Sequence, residues 1–218
     1  MRRFCLFFYL CLSLSLLLCS GCAEAEPPQP ASPVRIACMG DSVTYGYGLD
    51  RSESYPAQLA ALLGEGYTVE NFGVNGAAVC DYRNTPAFAA AMEFEPDIIL
   101  LMLGSNDTND ALWMGQDAFR EAYLSLLDAC GESGARVIVC TCVSAYPVNG
   151  GYQFGVNPDA LGEVCDAIAD IAAAQGLPLA DLAAVTANHP DYYQADGVHP
   201  NADGAAAIAG AAASLLQE

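Results

Sequence analysis

With 218 residues, 54% of them apolar and only 15% charged, the chain has room for one packed α/β domain and too little for two large ones. Its formal net charge of −19, from 26 acidic against 7 basic residues, argues against nucleic acid as a partner and makes anionic lipid an awkward substrate. All seven basic residues are Arg, which excludes Schiff-base chemistry, the Walker P-loop and Ser-x-x-Lys hydrolysis. His189 and His199 are the only histidines, so His-rich zinc sites and His-Glu-x-x-His proteases are excluded as well.

Taken in chain order, residues 1–22 read as a targeting segment: Arg2 and Arg3 precede an apolar run from Phe4 to Cys19 that is short for a membrane span. Leu18-Cys19-Ser20-Gly21-Cys22 resembles a bacterial lipoprotein signal, which makes Cys22 the lipidated residue; cleavage after Ala25 is the competing reading. Export is expected either way, with contact to a membrane only through the lipid anchor. Residues 23–33 are rich in Pro and Glu and form an extended tether.

The domain is expected over 34–218. Val34 to Met39 is apolar and β-prone, ending at Gly40, with Asp41 and Ser42 following at once. Helices are expected over Tyr55–Leu63, Pro86–Phe94, Asp117–Cys130, Asn157–Gln175 and Asn201–Leu215. Strands are expected over Tyr67–Phe72, Asp97–Leu103, Arg136–Val143 and Leu177–Asp181. Five strands alternating with helices imply a parallel sheet covered on both faces. Six cysteines follow Cys22, at 38, 80, 130, 140, 142 and 165. Cys140 and Cys142 stand two apart on one face of a strand, where they do not pair easily, and the set is read as small core residues over a disulfide framework.

Ser42 stands just beyond a strand's carboxyl end, where open α/β sheets place their ligands, but a serine hydroxyl needs a base, and the base an orienter. Asp196-Gly197-Val198-His199 supplies both within one turn; a capping Asp beside a surface His is the plainer alternative. Oxyanion donors are on offer in Asn71-Phe72-Gly73, where Gly73 can present its backbone N–H, and in Gly104-Ser105-Asn106-Asp107, where Asn106 can present its amide. Gly and Asn also serve ordinary turns.

Taken together and in this order, Gly40-Asp41-Ser42, Asn71-x-Gly73, Gly104-x-Asn106-Asp107 and Asp196-x-x-His199 resemble the SGNH, or GDSL-type, hydrolase family over essentially the whole domain. The resemblance implies a three-layer α/β/α sandwich with a five-stranded, flavodoxin-like parallel sheet. It implies Ser42 as nucleophile, His199 as base and Asp196 as orienter, and an oxyanion hole from the N–H groups of Ser42 and Gly73 with the Asn106 side chain. No metal or organic cofactor is implied. The nearest likeness is to bacterial members acting as carbohydrate O-acetylesterases, through P-D-I-I-L-L-M-L-G-S-N-D, Trp113, G-L-P-L-A-D-L and D-G-V-H-P-N-A-D-G-A. The expected function is therefore hydrolysis of short-chain acyl esters, chiefly acetyl, on a small molecule or glycan. A lysophospholipase or thioesterase of the same family is the rival reading, and a non-catalytic glycan-binding lipoprotein the rival from another class. Trp113 reads equally as a sugar platform or a packing residue, and Tyr45 and Tyr47 as core or rim packing ahead of site lining.

Overall fold

The computed structural model describes Ser32 to Leu216; the targeting segment with Cys22, and nearly all of the tether, lie outside the described residues. Five strands, β1 (Val34–Gly40), β2 (Tyr67–Gly73), β3 (Ile98–Met102), β4 (Arg136–Cys140) and β5 (Leu179–Ala180), pair in parallel in the order β2-β1-β3-β4-β5. Eight α-helices accompany them among the described residues: α1 (Ser42–Tyr45), α2 (Tyr55–Leu63), α3 (Val79–Tyr82), α4 (Pro86–Glu93), α5 (Gln116–Gly131), α6 (Pro158–Gln175), α7 (Leu182–Thr186) and α8 (Ala202–Leu216).

A parallel sheet is covered by helices on both faces, so its strands are apolar throughout and their side chains alternate between two cores. Ala37, Met39, Ile99 and Leu101 point to one side, against Tyr123 and Leu126 of α5 and Val164 and Ile168 of α6. Ile36, Cys38, Leu100 and Met102 point to the other, against Tyr55 and Leu59 of α2 and Ile208 and Ala209 of α8. The result is the expected three-layer α/β/α sandwich with a flavodoxin-like strand order. Local chemistry sets the helix ends. At α6, Asn157 Oδ1 accepts the N–H groups of Asp159 (3.0 Å) and Ala160 (3.2 Å), Pro158 occupies the first turn, and Gly176 closes the helix in the left-handed conformation.

The departures from expectation are at edges and in short pieces. The fourth strand stops at Cys140 instead of Val143, and the fifth is two residues long. Because the chain leaves the sheet after Cys140, Cys140 and Cys142 do not share a face: Cys140 packs in the α2/α8 core and Cys142 in the α5/α6 core. All six cysteines of the domain are free thiols; four are buried, Cys165 is half-buried, and Cys80 is exposed instead of being a core residue.

Strand order reverses between β1 and β3: from β1 the chain moves to β2 on one side and later returns to β3 on the other. Loops leaving the carboxyl ends of β1 and β3 therefore diverge and leave a crevice, the usual place for a ligand in such sheets.

Candidate active site

Ser42 is set in that crevice by the abrupt turn from β1 into α1. A Cβ at Gly40 would collide with the backbone oxygen of Met102 and the hydroxyl of Thr44, so only Gly lets the strand end here. Asp41 caps α1, its Oδ1 accepting the Val43 N–H at 2.9 Å, and Ser42 becomes the first helical residue.

The partner side chains come from the loop between α7 and α8. Gly197 has φ 70°, and a Cβ there would strike the backbone oxygen of Tyr146; the Tyr146 N–H in turn donates to Gly197 O at 2.8 Å. That close seat turns the loop so that Asp196 Oδ1 accepts the N–H groups of Val198 and His199, both at 2.9 Å. Asp196 Oδ2 lies 2.8 Å from His199 Nδ1, and His199 Nε2 lies 3.1 Å from Ser42 Oγ. Partial burial opposes ionisation of Asp196, but the two N–H groups and the imidazole outweigh it and hold the carboxyl below the usual range. An ionised Asp196 only accepts, so Nδ1 carries the proton and Nε2 accepts the Ser42 hydroxyl. The structure thus brings Ser42, His199 and Asp196 into one hydrogen-bonded chain.

Of the residues expected as oxyanion donors, Ser42 and Asn106 line the cavity and Gly73 does not. The Gly73 N–H donates to Asn71 Oδ1 at 2.9 Å, and Gly73 is absent from the wall of the cavity at Ser42. Its glycine has a packing reason instead: a Cβ would collide with the backbone of Thr44 and Tyr45, where β2 passes α1. Asn71 clasps the same crossing, its amide donating to Thr44 O at 2.7 Å. Gly76, three residues on, is what lines the cavity. It has φ 77°, and its N–H has no partner among the described residues. Sequence reasoning passed over it, although a second Gly in Asn71-Phe72-Gly73-Val74-Asn75-Gly76 was the available signal. Asn106 opens the turn after β3; its amide donates one hydrogen to Ala77 O at 3.0 Å, leaving the second for a ligand.

The cavity has a volume of about 280 Å³. Its lining is polar at Asn75, Gly76, Ser105 and Asn106 and apolar at Val143, Ala145, Val156, Leu161 and Val198. Tyr47 lines it; Tyr45 is exposed outside it. Trp113 is a packing residue, half-buried against the α5/α6 core with its ring 6.5 Å from that of Phe119. His189 stacks on Tyr192 in the loop before α8, away from the cavity wall. Two contributors escaped the sequence reading. Phe154 stands at the cavity mouth, and Gln194 ties Tyr47 to the His199 loop by donating to Tyr47 O (2.7 Å) and Pro200 O (3.0 Å).

Next to Ser42 in the chain is one member of an acidic pair, Asp41 and Asp107. Asp41 is 1% exposed, and its Oδ2 is buried with no hydrogen-bond partner among the described residues. Burial pushes its carboxyl up to about 7, with the charge of Asp107 adding to the rise while the Val43 N–H resists it. Burial likewise raises Asp107 to about 6, although its carboxylate accepts the Val79 N–H. A carboxyl raised in the folded state favours folding at pH values below its unfolded value near 3.8, and that contribution is lost as pH climbs through about 7. Asp41→Asn keeps the cap and removes the charge. The variant is expected already to exceed the wild type at pH 5, and its advantage to grow by roughly 3 kcal/mol between pH 5 and pH 8.5. Thermal melts of both proteins at the two pH values measure this, and equal pH slopes would contradict it.

A model of the GDSL-like lipase/acylhydrolase family matches residues 38–207, and the chain belongs to that family. It is 29% identical over 220 residues to an acetylxylan esterase of Xylanibacter ruminicola, a match covering 89% of this chain and 45% of that protein. The chain thus spans about half the length of that curated relative. Its fold is shared by a lipase/acylhydrolase from Enterococcus faecalis, with TM-score 0.71 and 24% identity over 84% of this chain and 95% of that one. It is shared too by a carbohydrate acetylesterase family member from Sinorhizobium meliloti, with TM-score 0.71 and 18% identity over 84% and 97%.

Proposed function

We propose that the protein is a serine esterase that hydrolyses short-chain acyl esters, chiefly acetyl esters of carbohydrates, through an acyl-Ser42 intermediate. The observation that carries this reading is the hydrogen-bonded chain from Ser42 through His199 to Asp196, opening on the cavity beside Asn106 and Gly76. As Ser42 Oγ attacks the ester carbon, its proton passes to His199 Nε2 and the carbonyl electron pair moves onto oxygen. Asp196 stays ionised and stabilises the imidazolium. The oxyanion is met by the Ser42 N–H, the free hydrogen of the Asn106 amide, and the Gly76 N–H in the role first expected of Gly73. Collapse expels the alcohol, which takes the proton from His199. Water then gives a proton to the same imidazole as it attacks the acyl carbon, the bond from that carbon to Ser42 Oγ breaks, and His199 returns the proton to Ser42 as the acid leaves.

The acetyl preference draws support from cavity size and from the relatives. About 280 Å³ lies at the small end of ligand pockets, which run to roughly 1,000 Å³, and it suits a short acyl group with one ring of the alcohol. The relative of Xylanibacter ruminicola is named for acetylxylan and the Sinorhizobium meliloti structure for carbohydrate acetyl esters. The segment 1–22, read as an export signal lipidated at Cys22, would put the enzyme on the side where polysaccharide is met.

The apolar lining at Val143, Ala145, Val156, Leu161 and Val198 favours a second reading, a lipase- or thioesterase-like enzyme with a longer acyl chain lying there. The two part on chain length. The full chain should turn over 4-nitrophenyl acetate at least about tenfold faster than the octanoate in kcat/KM. The reverse order would establish the second reading, and no turnover of either ester would end both.

A further inference from the structure

The imidazole of His199 is flanked by two aromatic rings that the hydrolytic chain itself does not require. The Tyr47 ring lies with its centroid 4.4 Å from that of His199 at an interplanar angle of 36°. The Phe154 ring stands edge-on to His199 at 4.8 Å and 80°, and the two aromatic rings are 6.2 Å apart. Both line the cavity, yet 42% of Tyr47 and 59% of Phe154 remain exposed to solvent.

Phe154 is held in place against local preference. Its backbone is left-handed, with φ 56° and ψ 19°, a conformation that disfavours a bulky side chain. A set of contacts enforces it. The chain first doubles back through Val148 and Gly151, with Asn149 and Gly150 both at positive φ, the Asn-Gly pair that suits a tight hairpin turn. Gln153 then donates to Val148 O at 3.2 Å, and the Asn109 amide reaches across to Phe154 O at 3.4 Å. Asn109 also fills the space a Cβ would take at Gly155, and Asn157 donates to Asp110 at 2.8 Å, tying the same two loops again. Core packing does not explain a strained backbone that delivers an apolar ring into water. Strain of that kind collects where a side chain serves a ligand.

The chemistry says which part of the ligand. His199 returns its proton to the leaving oxygen, so the alcohol lies beside the imidazole while the carbonyl oxygen points to Asn106 and Gly76. Rings packed against the imidazole therefore border the alcohol and not the acyl group. Among the described residues no Arg stands in the cavity wall, and the surface the two rings offer is uncharged and aromatic.

We infer that Phe154 and Tyr47 form a clamp that selects esters of ring-bearing alcohols by stacking on the flat, C–H-rich face of a pyranose or an aryl group. The inference rests on the esterase reading and extends it to the alcohol side. A linear alcohol has no face to lay against the rings and gains little from them.

The test compares three acetates, a mono-O-acetylated methyl xylopyranoside, phenyl acetate and ethyl acetate, on the full chain as wild type, Phe154→Gly and Tyr47→Ala. Glycine accepts the left-handed backbone without strain, so Phe154→Gly should fold at least as well as the parent, which a thermal melt records. In each variant the kcat/KM preference for a ring ester over ethyl acetate should fall about tenfold, carried by KM. A fall confined to the xylopyranoside identifies a sugar face as the ligand, and a fall confined to phenyl acetate an aryl face. Preferences that hold within about twofold for both ring esters overturn the clamp, as does an equal loss of kcat on all three, which would mean the rings only brace the imidazole. If the wild type hydrolyses none of the three, the esterase reading itself falls and takes the clamp with it.

Discussion

Replacing Ser42 with Ala is expected to reduce kcat/KM for 4-nitrophenyl acetate by about 10⁴-fold or more while the protein melts as the wild type does. The size follows from geometry. His199 Nε2 meets the Ser42 hydroxyl at 3.1 Å in the crevice, and without that hydroxyl the imidazole has no serine nucleophile to activate. The fold should not notice the loss. The cap of α1 runs from Asp41 Oδ1 to the backbone of Val43, and the close packing at Gly40 involves Thr44 and Met102, so neither uses the serine side chain. Steady-state turnover together with circular dichroism of purified wild type and variant measures both halves. Activity surviving in a well-folded Ser42→Ala protein would mean that another group does the chemistry, and the assignment of Ser42 would fail.

Much of the fold is legible because the strongest physical signal in the chain is the one that decides it. Continuous apolar runs such as Ile98–Met102 cannot be solvated on either face, and the helices between them carry periodic apolar positions, so a parallel sheet inside two helical layers is close to forced. Helix ends with explicit chemistry, Asn157-Pro158 at one end of α6 and Gly176 at the other, are readable to within a residue. What escapes is short. The four-residue helices α1 and α3 and the five-residue α7 hold less than two turns of pattern, and their existence depends on packing and on caps such as Asp41 and Asp181. The Arg136–Val143 run overshoots for a related reason: Thr141, Cys142 and Val143 are as apolar or β-prone as the strand before them, yet the chain has already turned out of the sheet toward the cavity.

The site divides along the same line. Residues whose expected roles rest on side chains, Ser42, His199, Asp196 and Asn106, stand out by residue type and spacing, and the structure gathers all four at one crevice. A backbone donor leaves no such mark. Gly73 and Gly76 are chemically identical in the sequence, and only the three-dimensional path shows that the first must lack a Cβ because α1 lies against it. The second turns at φ 77° and lines the cavity with its N–H unpaired among the described residues. Phe154 is invisible for another reason. Its importance lies in a strained backbone angle set by Asn109 from a different loop, and nothing local to Gln153-Phe154-Gly155 announces that partner.

Asn106→Ala is expected to lower kcat for 4-nitrophenyl acetate by about 10²–10³-fold, equivalent to roughly 3–4 kcal/mol of transition-state stabilisation, with KM changed by less than about threefold. The split between the two constants is the informative part. The ground-state carbonyl is a modest acceptor, and the amide's contribution grows only as negative charge gathers on oxygen, so the loss should fall on kcat. One Asn106 hydrogen is already given to Ala77 O at 3.0 Å, which fixes the amide's orientation before substrate arrives, so no reordering is needed when the oxyanion forms. Asn106→Asp sharpens the point: the shape is nearly unchanged, but an ionised carboxylate cannot donate and would face the developing charge, so the loss should exceed that of Ala. A variant series in which Asp and Ala lose equally little kcat would remove Asn106 from the oxyanion site. Stabilisation would then rest on the backbone N–H groups of Ser42 and Gly76.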